Sequence, residues 1–166
     1  AGASNGQVLT YNSSNGNIDL ATPGGLSNNA TASNSIGVGT NALDSETGGS
    51  LNTAFGTSAG TAITDGTSNV FVGSYAGSSQ TTSHSNTFAG YFSGKVAEAG
   101  SNTFYGAASG ALTTTGTQNV ASGAFVFYTN TTGSYNVASG YKALYSNLNG
   151  ERNVAHGTQA LYTNTS

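Results

Sequence analysis

Apolar and polar positions recur along this chain with a fixed period. A five-residue segment that opens on asparagine and closes on glycine returns as Asn52-Thr-Ala-Phe-Gly56, Asn69-Val-Phe-Val-Gly73, Asn86-Thr-Phe-Ala-Gly90 and Asn102-Thr-Phe-Tyr-Gly106. It continues as Asn119-Val-Ala-Ser-Gly123, Asn136-Val-Ala-Ser-Gly140 and Asn153-Val-Ala-His-Gly157, after a degenerate first copy, Ser35-Ile-Gly-Val-Gly39. Successive template glycines lie 17 residues apart, except for one interval of 16 between Gly90 and Gly106. Within each segment the alternation predicts a strand, with the first and third residues on one face and the second and fourth on the other. Phe71, Phe88 and Phe104 then line one face, and Phe55, Val72 and Tyr105 the other.

The rest of the period is patterned too. Three places after each template glycine stands a small residue: Ala42, Ala59, Ala76, Ser93, Ser109, Val126, Ala143 or Ala160. The next position is either large (Leu43, Phe127, Leu144, Leu161) or glycine (Gly60, Gly77, Gly94, Gly110). A second glycine, at 49, 66, 116, 133 and 150, precedes the template asparagine by three residues, with Gly100 displaced by one, and reads as turn punctuation.

Helical repeats need about 30 residues or more for two packed helices, and Thr, Ser, Asn and Gly are poor helix formers. A 17-residue period suits one coil of a β-solenoid instead, expected here as two strands of about five residues joined by two turns. Coils stack about 4.8 Å apart, so the template asparagines fall in a column where their amides can bond up and down the stack. One coil has a thin core, far short of offsetting an ordering entropy of about 1–2 kcal/mol per residue. Because both strand faces carry apolar or aromatic residues, a single roll would leave one stripe wet. A closed homo-oligomer is the expected remedy.

Composition narrows the class further. The chain has 166 residues with 25 Gly, one Pro, no Cys and no Met; charged residues make up 5% and the formal charge is −3. Large aliphatics are too scarce for an ordinary two-layer globule, while low charge argues against disorder of the usual kind. Three cations cannot neutralise a phosphate backbone, so nucleic acid is not an expected partner. No apolar run approaches the ~20 residues of a membrane helix, so direct membrane insertion is not expected either. Without an initiator Met or a signal sequence, the chain is expected to be part of a longer one.

The copies Asn136-Val-Ala-Ser-Gly-Tyr-Lys-Ala-Leu-Tyr-Ser-Asn147 and Asn153-Val-Ala-His-Gly-Thr-Gln-Ala-Leu-Tyr-Thr-Asn164 resemble the Asn-Thr-Ala-x-Gly-x-x-Ala-Leu repeats of bacterial and phage fibres. They are similar to the head repeats of trimeric autotransporter adhesins and to the β-rolls of mosaic trimeric fibre proteins. The resemblance covers about residues 34–166 and implies an all-β, left-handed parallel β-roll of about eight coils packed as a homotrimer. It further implies an extracellular place, on a cell surface or virion fibre. The implied role is a fibre-tip or head domain that binds a host or prey cell-surface ligand, a glycan or a protein. The alternative is a shaft segment with a purely structural role. The sequence departs from the adhesin-head pattern in its longer period and in Ser122, Ser139 and His156, which replace an aliphatic residue.

Residues 1–33 lack the template and are expected to form a separate connector, with short strands at 7–11 and 17–21 around a turn at 13–16 and a break at Pro23-Gly-Gly25. The roll domain then spans 34–166.

Candidate chemistry is sparse. Asp44 and Glu46 are the nearest thing to a carboxylate pair, but they lie in a turn and read as a solvated pair. Neither His84 nor His156 stands in a nucleophile elbow. His84 reads as exposed. His156 reads as an axial packing or hydrogen-bonded residue; three copies in a trimer could alternatively hold an anion or a metal. No enzyme activity, cofactor or metal site is expected.

The binding candidates are aromatic. Tyr128, Tyr145 and Tyr162 each lie five places after a template glycine, one per coil, and Tyr91 and Tyr141 directly follow one. Flat faces with hydroxyls suit sugar rings; packing between protomers is the competing reading. The Thr-rich runs at 113–115 and 129–132 read as turns, since they are out of register with the threonines of other coils, as an ice-binding array would not be. Asn52, Gly56, Asn69, Gly73, Asn86, Gly90, Asn102, Gly106, Asn119, Gly123, Asn136, Gly140, Asn153 and Gly157 are structural markers of the repeat.

Overall fold

A computed structural model describes residues 10–12, 17–19 and 34–165. In the N-terminal part, β1 (Thr10–Asn12) and β2 (Asn17–Asp19) pair antiparallel, with Tyr11 opposite Ile18. The remainder of the expected connector, at residues 7–9, 13–16 and 20–33, lies outside the described residues.

From residue 35 the chain winds into a parallel β-solenoid. Its strands are β3 (Ile36–Val38), β4 (Thr53–Phe55), β5 (Val70–Val72), β6 (Thr87–Ala89), β7 (Thr103–Tyr105), β8 (Val120–Ser122), β9 (Val137–Ser139) and, beyond the two-residue β10 (Ser146–Asn147), β11 (Val154–His156). These eight, β10 apart, form one parallel sheet in sequence order. Each residue pairs with its equivalent one coil on, as Val120, Ala121 and Ser122 do with Val137, Ala138 and Ser139. The described residues contain no helix.

The alternation read from the sequence is the one that the sheet displays. The template asparagines from Asn52 to Asn136 are fully buried, and so are Ala54, Phe71, Phe88, Phe104 and Ala121 two places later. The residues between and after them point outward. Each buried asparagine satisfies backbone groups that the narrow coil cannot pair otherwise. The Asn69 N–H donates to Asn52 Oδ1 at 2.9 Å, and the contact repeats at every rung up to Asn153, whose N–H donates to Asn136 Oδ1. The amide nitrogens of Asn52, Asn69, Asn102, Asn119 and Asn136 in turn donate to the carbonyl 14 residues on.

The large-or-glycine choice after the turn is a volume exchange inside the coil. Where the third strand position is Phe (71, 88, 104), the residue six further on is Gly77, Gly94 or Gly110, and a Cβ there would land on that same phenylalanine ring. Where the strand position is Ala121 or Ala138, Phe127 or Leu144 fills the space from the other side, fully buried. Coil two has neither, with Ala54 and Gly60; the space beside Gly60 is taken by Leu43 and Phe71 from the coils on either side.

The expected second five-residue strand does not form. Strands are two or three residues long, and regular pairing on the far side of the coil is confined to β10 with β12 (Thr163–Asn164) and the isolated bridges Ser50 to Thr67 and Thr129 to Ser146. Single backbone hydrogen bonds, such as Thr64 N–H to the Thr81 carbonyl at 2.9 Å, join successive coils there as well. The run is broken by a second turn, in which the Ile63, Gln80 and Ala97 N–H groups donate to the carbonyls of Gly60, Gly77 and Gly94 three residues before, and left-handed residues sharpen the other corners. In the sixth coil, for example, Phe125, Phe127 and Tyr135 all have φ between 50° and 62°, in the left-handed region. Equivalent residues do so in the other coils, at the template turn and just before the next template asparagine. The template glycine adds a fourth positive φ, 119° to 142°, which side chains rarely adopt. A Cβ at Gly56 would also lie 2.6 Å from the carbonyl carbon of Gly73.

The 16-residue coil carries a visible defect. With one residue missing before Asn102, no carbonyl meets the buried Asn86 Nδ2, which has no partner, and Gln80 Nε2 is buried and unpartnered in the coil before it. At the N-terminal end of the column Glu46 acts as a cap. It is 2% exposed rather than solvated as expected, and its Oε1 accepts the Ser35 hydroxyl at 2.8 Å and Asn52 Nδ2 at 2.6 Å. A second, shorter asparagine ladder, Asn130–Asn147–Asn164, runs beside the first with amide contacts of 2.7 and 2.8 Å, and Asn130 and Asn119 donate to the same Gly133 carbonyl. Its members are spaced by the same 17 residues, a signal available in the sequence.

Candidate functional site

The side chains that leave the coil just after the template turn form an aromatic band. They come from the first, second and fifth positions beyond the glycine. The second position is left-handed at Tyr75, Phe92, Phe125 and Lys142, with φ of 56° to 61°, and these side chains end on the outer surface. Stacking the coils brings successive members within ring contact.

The tyrosines singled out from the sequence fall in two groups of this band. Tyr128, Tyr145 and Tyr162 form a ladder: ring centroids are 5.2 and 5.0 Å apart and the planes are within 10° and 1° of parallel. Tyr141 stands beside it, edge-on to Phe125 at 6.2 Å. Tyr91 belongs to a second cluster, 4.2 Å from Phe92 and 6.4 Å from Tyr75. The sequence reading missed Phe92, Phe125 and Tyr75, although their shared second position after the glycine marks them.

All three cations of the chain sit on aromatic rings. Lys95 Nζ lies 4.9 Å from the Phe92 centroid, Lys142 Nζ 5.1 Å from Tyr141 and 5.5 Å from Tyr145, and the Arg152 guanidinium 5.3 Å from Tyr135. Interaction with Tyr141, above all through its hydroxyl, holds the Lys142 ammonium above the ordinary lysine pKa. Arg152 also meets Glu151 at 3.3 Å, the one ion pair among the described residues. Between the two aromatic groups lies a groove of about 290 Å³, walled by Tyr91, Phe92 and Lys95 on one side and Phe125 and Tyr128 on the other. Its floor is the alanine-rich coil between them, with Ala107, Ala108 and Ala111.

The other surface of note is the outer sheet face, where Ile36, Val70, Val72, Val120, Val137 and Val154 are 36–75% exposed in a single stripe. Phe55 and Tyr105 lie on the same face. His156 is exposed at its end, paired in register with Ser139. His84 is exposed as well, and its Nδ1 accepts the Thr67 N–H at 3.0 Å. Asp44 is exposed while Glu46 is buried in the cap, so the two do not share one environment. Among the described residues no group of His, Cys, Asp and Glu is arranged to hold a metal, and no helix is long and apolar enough to cross a membrane.

Fold and surface together define a repeat protein, a parallel β-solenoid of about eight coils with an aromatic band outside. No protein family matches the chain, and no curated protein or solved structure matches it either.

Proposed function

We propose that this chain is a fibre domain that recognises a cell-surface glycan, assembled as a homotrimer of left-handed rolls on a bacterial or virion fibre outside the cell. The observation that carries the reading is the aromatic band, in which Tyr75, Tyr91, Phe92, Phe125, Tyr128, Tyr141, Tyr145 and Tyr162 stand outside the coil in ring contact with one another, held by stacked, regular backbone. Rings with hydroxyls on a rigid support bind sugar faces at low ordering cost. The outer sheet face supports assembly, since β-branched residues there gain burial only against another chain. Three equal copies would multiply weak contacts by avidity.

A glycan array probed with the assembled chain tests this reading; binding to a defined glycan class is expected, and an array without signal overturns it. A second reading, a shaft that only sets reach, is favoured by the unbroken asparagine and glycine columns. Removing whole 17-residue coils from a complete fibre separates the two: a shaft loses reach in proportion, whereas a recognition domain loses attachment.

A further inference from the structure

The column of residues five places beyond the template glycine runs Lys95, Ala111, Tyr128, Tyr145, Tyr162 in its last five coils. Three of these are stacked rings at 5.2 and 5.0 Å, one per coil. Tyr145 covers one face of Tyr128. The other face looks towards the next coil, where the column holds only the methyl of Ala111, and Ala111 and Tyr128 both line the groove. One coil further stands Lys95, on the opposite wall. Strand spacing puts Lys95 and Tyr128 two coils, about 10 Å, apart, enough for one more ring between them. The ladder therefore has a missing rung, with a ring face at one end and a cation at the other.

We propose that this gap binds an acidic pyranose, a hexuronate residue of a glycan, which takes the place of the missing rung. Its C–H face rests on Tyr128, its other face on the Phe92 side of the groove, and its carboxylate meets the Lys95 ammonium. Charge selects the acidic sugar: Lys95 has no carboxylate in bridging contact among the described residues, in a chain whose formal charge is −3. A cation held at 4.9 Å over Phe92 is positioned before the ligand arrives, so the binding entropy lost is small. This inference rests on the glycan-binding reading and names the sugar class and the place.

The test uses the assembled chain with D-glucuronate and D-glucose, which differ only in oxidation at C6, and follows binding by ligand-observed NMR titration. Glucuronate is expected to bind at least about fivefold more tightly than glucose, the worth of one partly screened ion pair. Lys95→Gln is expected to bring the two sugars level. Ala111→Tyr completes the ladder and is expected to abolish binding of both with an unchanged melting curve, while Lys142→Gln leaves the preference intact. Equal binding of the two sugars to the parent chain, or glucuronate binding that survives Ala111→Tyr, overturns the proposal. Array signal that persists in the Ala111→Tyr chain would leave glycan recognition standing with its site elsewhere, whereas loss of all array binding in the parent chain removes both readings.

Discussion

Asn136 is tied to Asn119 twice. Its backbone N–H donates to Asn119 Oδ1 at 3.0 Å and its side-chain Nδ2 to the same oxygen at 3.1 Å. Both residues are fully buried, so one side-chain oxygen satisfies two donors that water does not reach. Asn119 Nδ2 meanwhile donates to the Gly133 carbonyl at 2.9 Å. Asn119→Ala removes all three contacts at once and is expected to cost about 3 kcal/mol or more, because stranded buried donors pay their desolvation in full. Thr114→Ala, which removes an exposed hydroxyl bonded to the Thr131 carbonyl, is expected to cost under about 1 kcal/mol. Urea unfolding followed by circular dichroism checks both.

The exchange of volume between strand and turn makes a coupled prediction. Phe88→Ala empties the coil and is expected to destabilise by about 3–5 kcal/mol. Gly94→Leu alone drives a side chain into the Phe88 ring and is expected to be as harmful. The double variant reproduces the Ala138 and Leu144 arrangement three coils on, where a left-handed leucine (φ 45°) is already tolerated. It is expected to recover at least about 2 kcal/mol relative to the sum of the single changes, a coupling energy read from the four melting curves.

The short coil points to a stabilising insertion. Adding a threonine between Gly100 and Ser101 restores the 17-residue interval and sets Gly100 three places before the template asparagine. Gly100 is already the 14th residue beyond Asn86, and the added residue is expected to bring its carbonyl to the place from which other rungs are served. The insertion is expected to raise stability by about 1 kcal/mol, the worth of one buried donor satisfied. An unchanged or lower melting temperature would show that Asn86 gains no partner.

Two adjacent residues of β9 separate the interior from the outer face. Ala138 is 1% exposed and Val137 45%. Ala138→Asp buries a charge without a counter-ion and is expected to prevent folding. Val137→Asp leaves the coil interior untouched, so its cost is expected to appear in assembly, as loss of the oligomer at low protein concentration. Sedimentation velocity on the two variants distinguishes them.

Much of this architecture was legible before any coordinates. The 17-residue period, the inward asparagines, the outward second and fourth positions and the sharp template glycines all follow from spacing and alternation. The interruption of the expected second strand did not, because a turn such as the one that Gln80 N–H closes on the Gly77 carbonyl leaves no mark in the apolar alternation. Glu46 looked like a turn carboxylate for a related reason: its burial depends on Ser35 and Asn52 arriving from 11 and six residues away. The tyrosine ladder was visible as a column. The groove beside it was not, since it exists where the column is interrupted by Ala111, and an interruption has meaning only once its neighbours are known.

The central claim is that coils this thin shelter one another's outer sheet face in a closed assembly. Light scattering coupled to size exclusion measures it most directly. A stable species near three times 16.4 kDa is expected, persisting on dilution; a folded species at 16.4 kDa with the same melting temperature at every concentration would contradict it.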